Sequence, residues 1–129
     1  MSAKADKTAA IRNSGGSMAD NPLHVVETDR FSITYILGLD DDADTVENTD
    51  AIVTAPDGTC WTATLLTHRE VARVMDRWST TGECADGSYF QVRDLVIVRE
   101  PGVDSMTRAL VDIFDEYGMD TDVLPKFID

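Results

Sequence analysis

Apolar and polar residues alternate early in the chain. Phe31, Ile33, Tyr35 and Leu37 are separated by Ser32, Thr34 and Ile36, the period-two pattern of a half-buried strand. Strand signals dominate from Leu23 to Leu39. Ala51 to Ala55 and Thr59 to Leu66 read as two further strands, the second with Trp61, Ala63 and Leu65 on one face. Between them, Pro56 presets φ and Gly58 accepts a positive one, so Pro56-Asp57-Gly58 closes a hairpin.

The period changes at Thr67. Thr67-His68-Arg69-Glu70 has the spacing of a capping box, in which Thr67 caps the Glu70 amide and Glu70 reaches back. Val71, Val74, Met75 and Trp78 follow at i, i+3, i+4 and i+7, the apolar stripe of an amphipathic helix that ends at Ser79 to Thr81, before Gly82. Ser88 to Val98 reads as strand, anchored by Tyr89-Phe90. Its run Leu95-Val96-Ile97-Val98 is apolar enough to be covered on both faces. After Pro101-Gly102, the positions of Met106, Leu110, Ile113, Phe114 and Tyr117 mark a second helix, capped by Asp104 or Ser105 and stopped by Gly118. Leu124, Phe127 and Ile128 give the tail apolar groups with which to dock.

The order of elements predicts an α+β fold: a mostly antiparallel sheet with two amphipathic helices packed on it. Residues 1–22 contain Ser14-Gly15-Gly16-Ser17 and hardly any apolar side chains, and read as a disordered leader before a single acidic domain over 23–129.

Charge changes this picture most. Among 129 residues there are 24 acids against 11 lysines and arginines, a net charge of −13. Such a surface repels nucleic acid and anionic membranes and attracts a basic protein or cations. Solubility alone, or the compositional habit of salt-loving or high-GC organisms, produces the same acidity. No apolar run approaches the ~18–20 residues that cross a bilayer, and the first residues carry no apolar signal segment. A soluble, cytoplasmic protein is the expectation.

Candidate chemistry is sparse. His24 and His68 are the only near-neutral bases, and no nucleophile elbow, phosphate-cradling glycine loop or His-Glu-x-x-His helix occurs. The two cysteines, Cys60 and Cys84, are too few for a disulfide framework and read as reduced thiols. Glu83 next to Cys84 would raise a thiol pKa, which is the wrong direction for a nucleophile. Asp40, Asp42 and Asp44 match the first three ligand positions of an EF-hand. The glycine and glutamate that should follow are Thr45 and Ala51, so that reading fails. Arg69, Arg73 and Arg77 line one helix face, with Glu70 and Asp76 in reach for internal salt bridges. No catalytic residue, metal site or cofactor is expected.

Taken together, Pro56-Asp57-Gly58-Thr59-Cys60-Trp61-Thr62-Ala63-Thr64, the Thr67-capped helix, Thr81-Gly82-Glu83-Cys84, Gly87-Ser88-Tyr89-Phe90 and Asp94-Leu95-Val96-Ile97-Val98 resemble a group of small uncharacterised bacterial proteins. These are loosely associated with immunity proteins of bacterial toxin systems, and the resemblance spans roughly residues 50 to 115. It implies a small protein that binds one toxin and needs no catalytic centre.

Three functions remain open. The first is a non-enzymatic domain, an immunity-type inhibitor of a basic partner. It would make contact through Asp40, Asp41, Asp42, Asp44, Glu47 and Asp50 and through Asp112, Asp115 and Glu116 of the second helix. The second is a small-molecule binder or enzyme with a pocket near Arg73, Glu83 and Cys84. The third is a structural subunit of a homo-oligomer.

Overall fold

The computed structural model describes residues 22–127. The leader expected over 1–22 therefore lies outside the described residues, except Pro22. That residue is buried, and its carbonyl accepts the Leu37 N–H at 2.7 Å, so it belongs to the sheet.

Five strands lie side by side in chain order: β1 (Leu23–Glu27), β2 (Ser32–Ile36), β3 (Asn48–Thr54), β4 (Cys60–Thr67) and β5 (Leu95–Val98). The first four form an antiparallel meander and β5 joins β4 in parallel. The strand signal over Leu23 to Leu39 thus resolves into two strands. Between them the Thr28 hydroxyl donates to the Phe31 carbonyl (2.8 Å) and accepts the Phe31 N–H (3.2 Å), closing a turn with Asp29-Arg30 at its tip. With neither glycine nor proline there, a threonine side chain supplies the bend.

Alternation along the strands puts Ile33, Tyr35, Ala51, Val53, Trp61, Ala63 and Leu65 on one face. The helix α3 (Val103–Tyr117) covers that face with Val103, Met106, Leu110 and Phe114. The Phe114 ring meets Trp61 edge-on at 5.1 Å and Phe31 at 5.3 Å, geometries favoured by the ring quadrupoles. Tyr35, fully buried, shares a 2.7 Å hydrogen bond with Thr107 of α3, and burial pushes its phenol pKa up to about 12. Tyr117, expected in the stripe, is instead half-exposed, being the last residue of its helix.

The tail docks mainly through its backbone. Pro125 accepts the Thr62 N–H (3.0 Å) and Phe127 donates to Cys60 (2.8 Å), while Leu124 is buried. The Phe127 ring stays half-exposed, and Ile128 lies outside the described residues.

The crossover from β4 to β5 departs most from expectation. In α1 (His68–Thr81) Thr67 caps the Glu70 amide at 3.0 Å as predicted. Glu70 does not complete the box, because the Thr67 N–H donates to the Glu47 carbonyl instead (3.0 Å). Only Val74 of the apolar stripe is fully buried. Beyond Gly82 the chain enters a third helical element, α2 (Glu83–Gly87), in which Cys84, Ala85 and Asp86 have φ of 49°, 52° and 63°. This is a left-handed turn, which costs L-residues about 1–2 kcal/mol each.

Packing offsets that cost. Gly87 lies so close to α1 that a Cβ there would come within 2.2 Å of the Met75 carbonyl oxygen. Phe90 stacks on Trp78 at 5.4 Å and 13°. Tyr89-Phe90 therefore lie outside any strand, and Phe90 serves α1. β5 starts only at Leu95, and as the outermost strand it is not covered on both faces: Val98 is buried but Ile97 is 54% exposed. The cap of α3 also differs, since Gly102 precedes the helix with no side-chain cap.

Candidate functional site

The acidic segment after β2 is a folded loop. Leu37, Gly38 and Val46 are buried and pin its ends. Within it the carboxylates serve their own backbone: Asp41 accepts the Gly38 N–H (2.6 Å) and Asp42 the Asp44 N–H (2.7 Å). The Val46 and Ala43 carbonyls accept the N–H groups of Gly102 and Val103, both at 2.8 Å. The loop is thus fastened to the start of α3, where its carbonyls satisfy two N-terminal amides that have no partner within the helix.

Glu47 joins this loop to α1. Its Oε1 accepts from the Thr67 hydroxyl (2.7 Å) and Arg69 Nε (3.1 Å), with Arg73 Nη2 at 3.7 Å. Chiefly the Thr67 hydrogen bond, and then the two arginines, hold its carboxyl below the ordinary range. Glu70 beside it pairs with Arg73 Nη1 at 2.7 Å and accepts from Asn48 at 3.5 Å. The arginine stripe is therefore engaged in internal salt bridges at Arg69 and Arg73, with Glu47 as a partner in place of Asp76.

A depressed carboxyl adds stability above its unfolded pKa, and that contribution is lost as pH falls through the folded value. Glu47→Gln is expected to lower stability by about 1–2 kcal/mol at neutral pH, the scale of charge-assisted hydrogen bonds. The difference from wild type should narrow in acid. Denaturant unfolding at both pH values checks this, and a gap that widens in acid would contradict it.

Between the loop and α1 opens a cleft of about 260 Å³, lined by Asp40, Asp41, Asp42, Glu47, Glu70 and Arg73. Five carboxylates thus face one guanidinium, which Glu47 and Glu70 already engage. Sequence reasoning read Glu70 as a cap and missed it here. No local signal could place it, since its position depends on a contact between the loop and α1.

The other expected residues lie elsewhere. Asp44 is exposed at the loop's far end. Asp50, on β3, accepts the Thr64 hydroxyl at 3.2 Å, and that hydroxyl also reaches Asp94 at 2.8 Å. Asp112, Asp115 and Glu116 are exposed near the end of α3, about 14–20 Å along the helix from the residue bonded to the loop. The sequence-predicted acids therefore occupy three places: the loop, β3 and the end of α3. Arg73 sits within α1 and lines the anionic cleft, whereas Glu83 lies beyond the left-handed Gly82 in α2. Glu83 accepts the Thr81 hydroxyl (2.9 Å) and Cys84 is half-buried in α2. Of the three residues expected around a pocket, Arg73 lines the anionic cleft and Glu83 and Cys84 belong to α2. His24 is half-buried on β1 and His68 is exposed at the start of α1.

Fold and site together define an acidic α+β domain with a solvent-open anionic cleft. Among the described residues no helix is long and apolar enough to cross a membrane. No family model matches the chain, and none of the curated proteins or solved structures compared with it shows significant similarity.

Proposed function

We propose that this domain is a non-enzymatic binding protein whose acidic surface engages a basic protein, in the manner of an immunity-type inhibitor. The cleft carries the reading: five carboxylates line it, two of them paired with arginines, on a chain of net charge −13. Fixed charges of one sign steer an oppositely charged partner and accelerate association at low salt.

Asp40, Asp41 and Asp42 are the residues to neutralise, because asparagine keeps a carbonyl oxygen for the Gly38 and Asp44 amides. Capture from the source organism's lysate, with wild type and the triple Asn variant at low and high salt, tests the proposal. One basic protein should be retained stoichiometrically by wild type at low salt, and lost at high salt or by the variant. A partner indifferent to both changes would overturn it.

A further inference from the structure

A second cleft, of about 340 Å³, lies at the opposite end of α3, between that helix and the β1–β2 turn. Its walls combine two chemistries. Val26 and Val111 are half-buried and packed against the core. At the rim stand Glu27, Asp29 and Asp115, all exposed. Arg30 lies across this mouth with its guanidinium paired to Asp115, side-chain exposures being 41% and 59%. An apolar wall ending in carboxylates suits a long side chain with an aliphatic stem and a cationic head. Arg30 makes a single contact there, through one Nη to Asp115 Oδ1, and an arginine head is favoured over lysine because its planar guanidinium can also engage both carboxylate oxygens.

We infer that this cleft receives an arginine side chain of the basic partner, which displaces Arg30 from Asp115. The stem lies against Val26 and Val111, and the guanidinium takes the carboxylate that Arg30 occupies in the free protein. Arg30 is thus a built-in competitor. Its own pair is solvent-exposed and correspondingly weak, so an incoming arginine with an apolar surface to cover can replace it. The inference rests on the proposed function and adds to it a second point of contact, about 6–18 Å along α3 from the residue bonded to the acidic loop.

The two rim residues give opposite expectations. Arg30→Ala vacates Asp115 and should tighten arginine binding roughly threefold to fivefold, whereas Asp115→Asn should weaken it by at least as much. Both side chains are exposed, so both variants keep the core intact.

The measurement is an amide NMR titration of the full chain at low salt with N-acetyl-argininamide, and with its neutral isostere N-acetyl-citrullinamide. Saturable shifts at Thr28 to Phe31 and Thr107 to Asp115 are expected with the arginine probe and not with the citrulline one. Shifts confined to residues 40–48, or weaker binding by Arg30→Ala, would remove the cleft and leave the acidic-surface reading standing. No binding of the arginine probe anywhere would likewise remove the cleft, while the salt-dependent capture decides the acidic-surface reading separately.

Discussion

Gly102→Ala is expected to destabilise the protein by about 3–5 kcal/mol and to dislodge the acidic loop with it. Two effects coincide at this residue. Its φ is +101° with ψ at 152°, a region open essentially to glycine alone. A Cβ built there would also lie 2.7 Å from the Asp44 carbonyl oxygen, which is backbone and cannot swing away. Gly58 supplies the control: its φ is +91°, but nothing lies within 4 Å of the added carbon. Gly58→Ala should therefore show the conformational cost by itself, about 1–2 kcal/mol. Denaturant unfolding of both variants measures the excess loss at Gly102, which combines the collision with its rarer backbone region. Equal losses would mean that the α3 start is not wedged against the loop.

The second large effect is expected at Trp61. It is almost fully buried, contacts Phe114 edge-on, and donates its indole N–H to the Thr121 carbonyl at 3.1 Å. Trp61→Ala removes the largest core side chain and leaves that carbonyl without its partner, a loss of about 3–5 kcal/mol. Trp61→Phe keeps an aromatic ring against Phe114 but still gives up the hydrogen bond to the tail, so it should cost less and loosen residues 119–127 selectively. Denaturant unfolding measures the first effect, and amide hydrogen exchange in the tail the second. A tail as well protected in Trp61→Phe as in wild type would show that the indole does not tether it.

These two residues also show where stability and site meet. Gly102 fixes the loop that walls the anionic cleft, and Trp61 ties the sheet to α3 and the tail. α3 in turn carries Val111 and Asp115 of the second cleft. The sites are surface features, but each is held by the same helix against the same core.

Periodicity and turn chemistry were enough to read most of the fold. The alternation in Phe31 to Leu37 and in Thr59 to Leu66 identified the buried face. Thr67 and Gly82 marked the ends of α1, and Met106, Leu110 and Phe114 the buried stripe of α3. Such signals are local: each residue's role follows from neighbours within a few positions. Local signals misled where a tertiary contact overrode them. Tyr89-Phe90 have strand propensity, yet Phe90 stacks on Trp78. Leu95 to Val98 has the composition of a covered strand, but its place at the sheet edge leaves Ile97 exposed.

From composition alone the chain's acidity was already plain. Which acids stand together was decided only by the tertiary structure. Glu47 meets Arg69 across 22 positions of sequence, and Arg30 meets Asp115 across 85. No pattern along the chain encodes those distances, because they arise from how the loop, the turn and two helices close over one sheet. A charge count gives the sign of the molecule's field, but the packing of the sheet and helices determines where its charges gather.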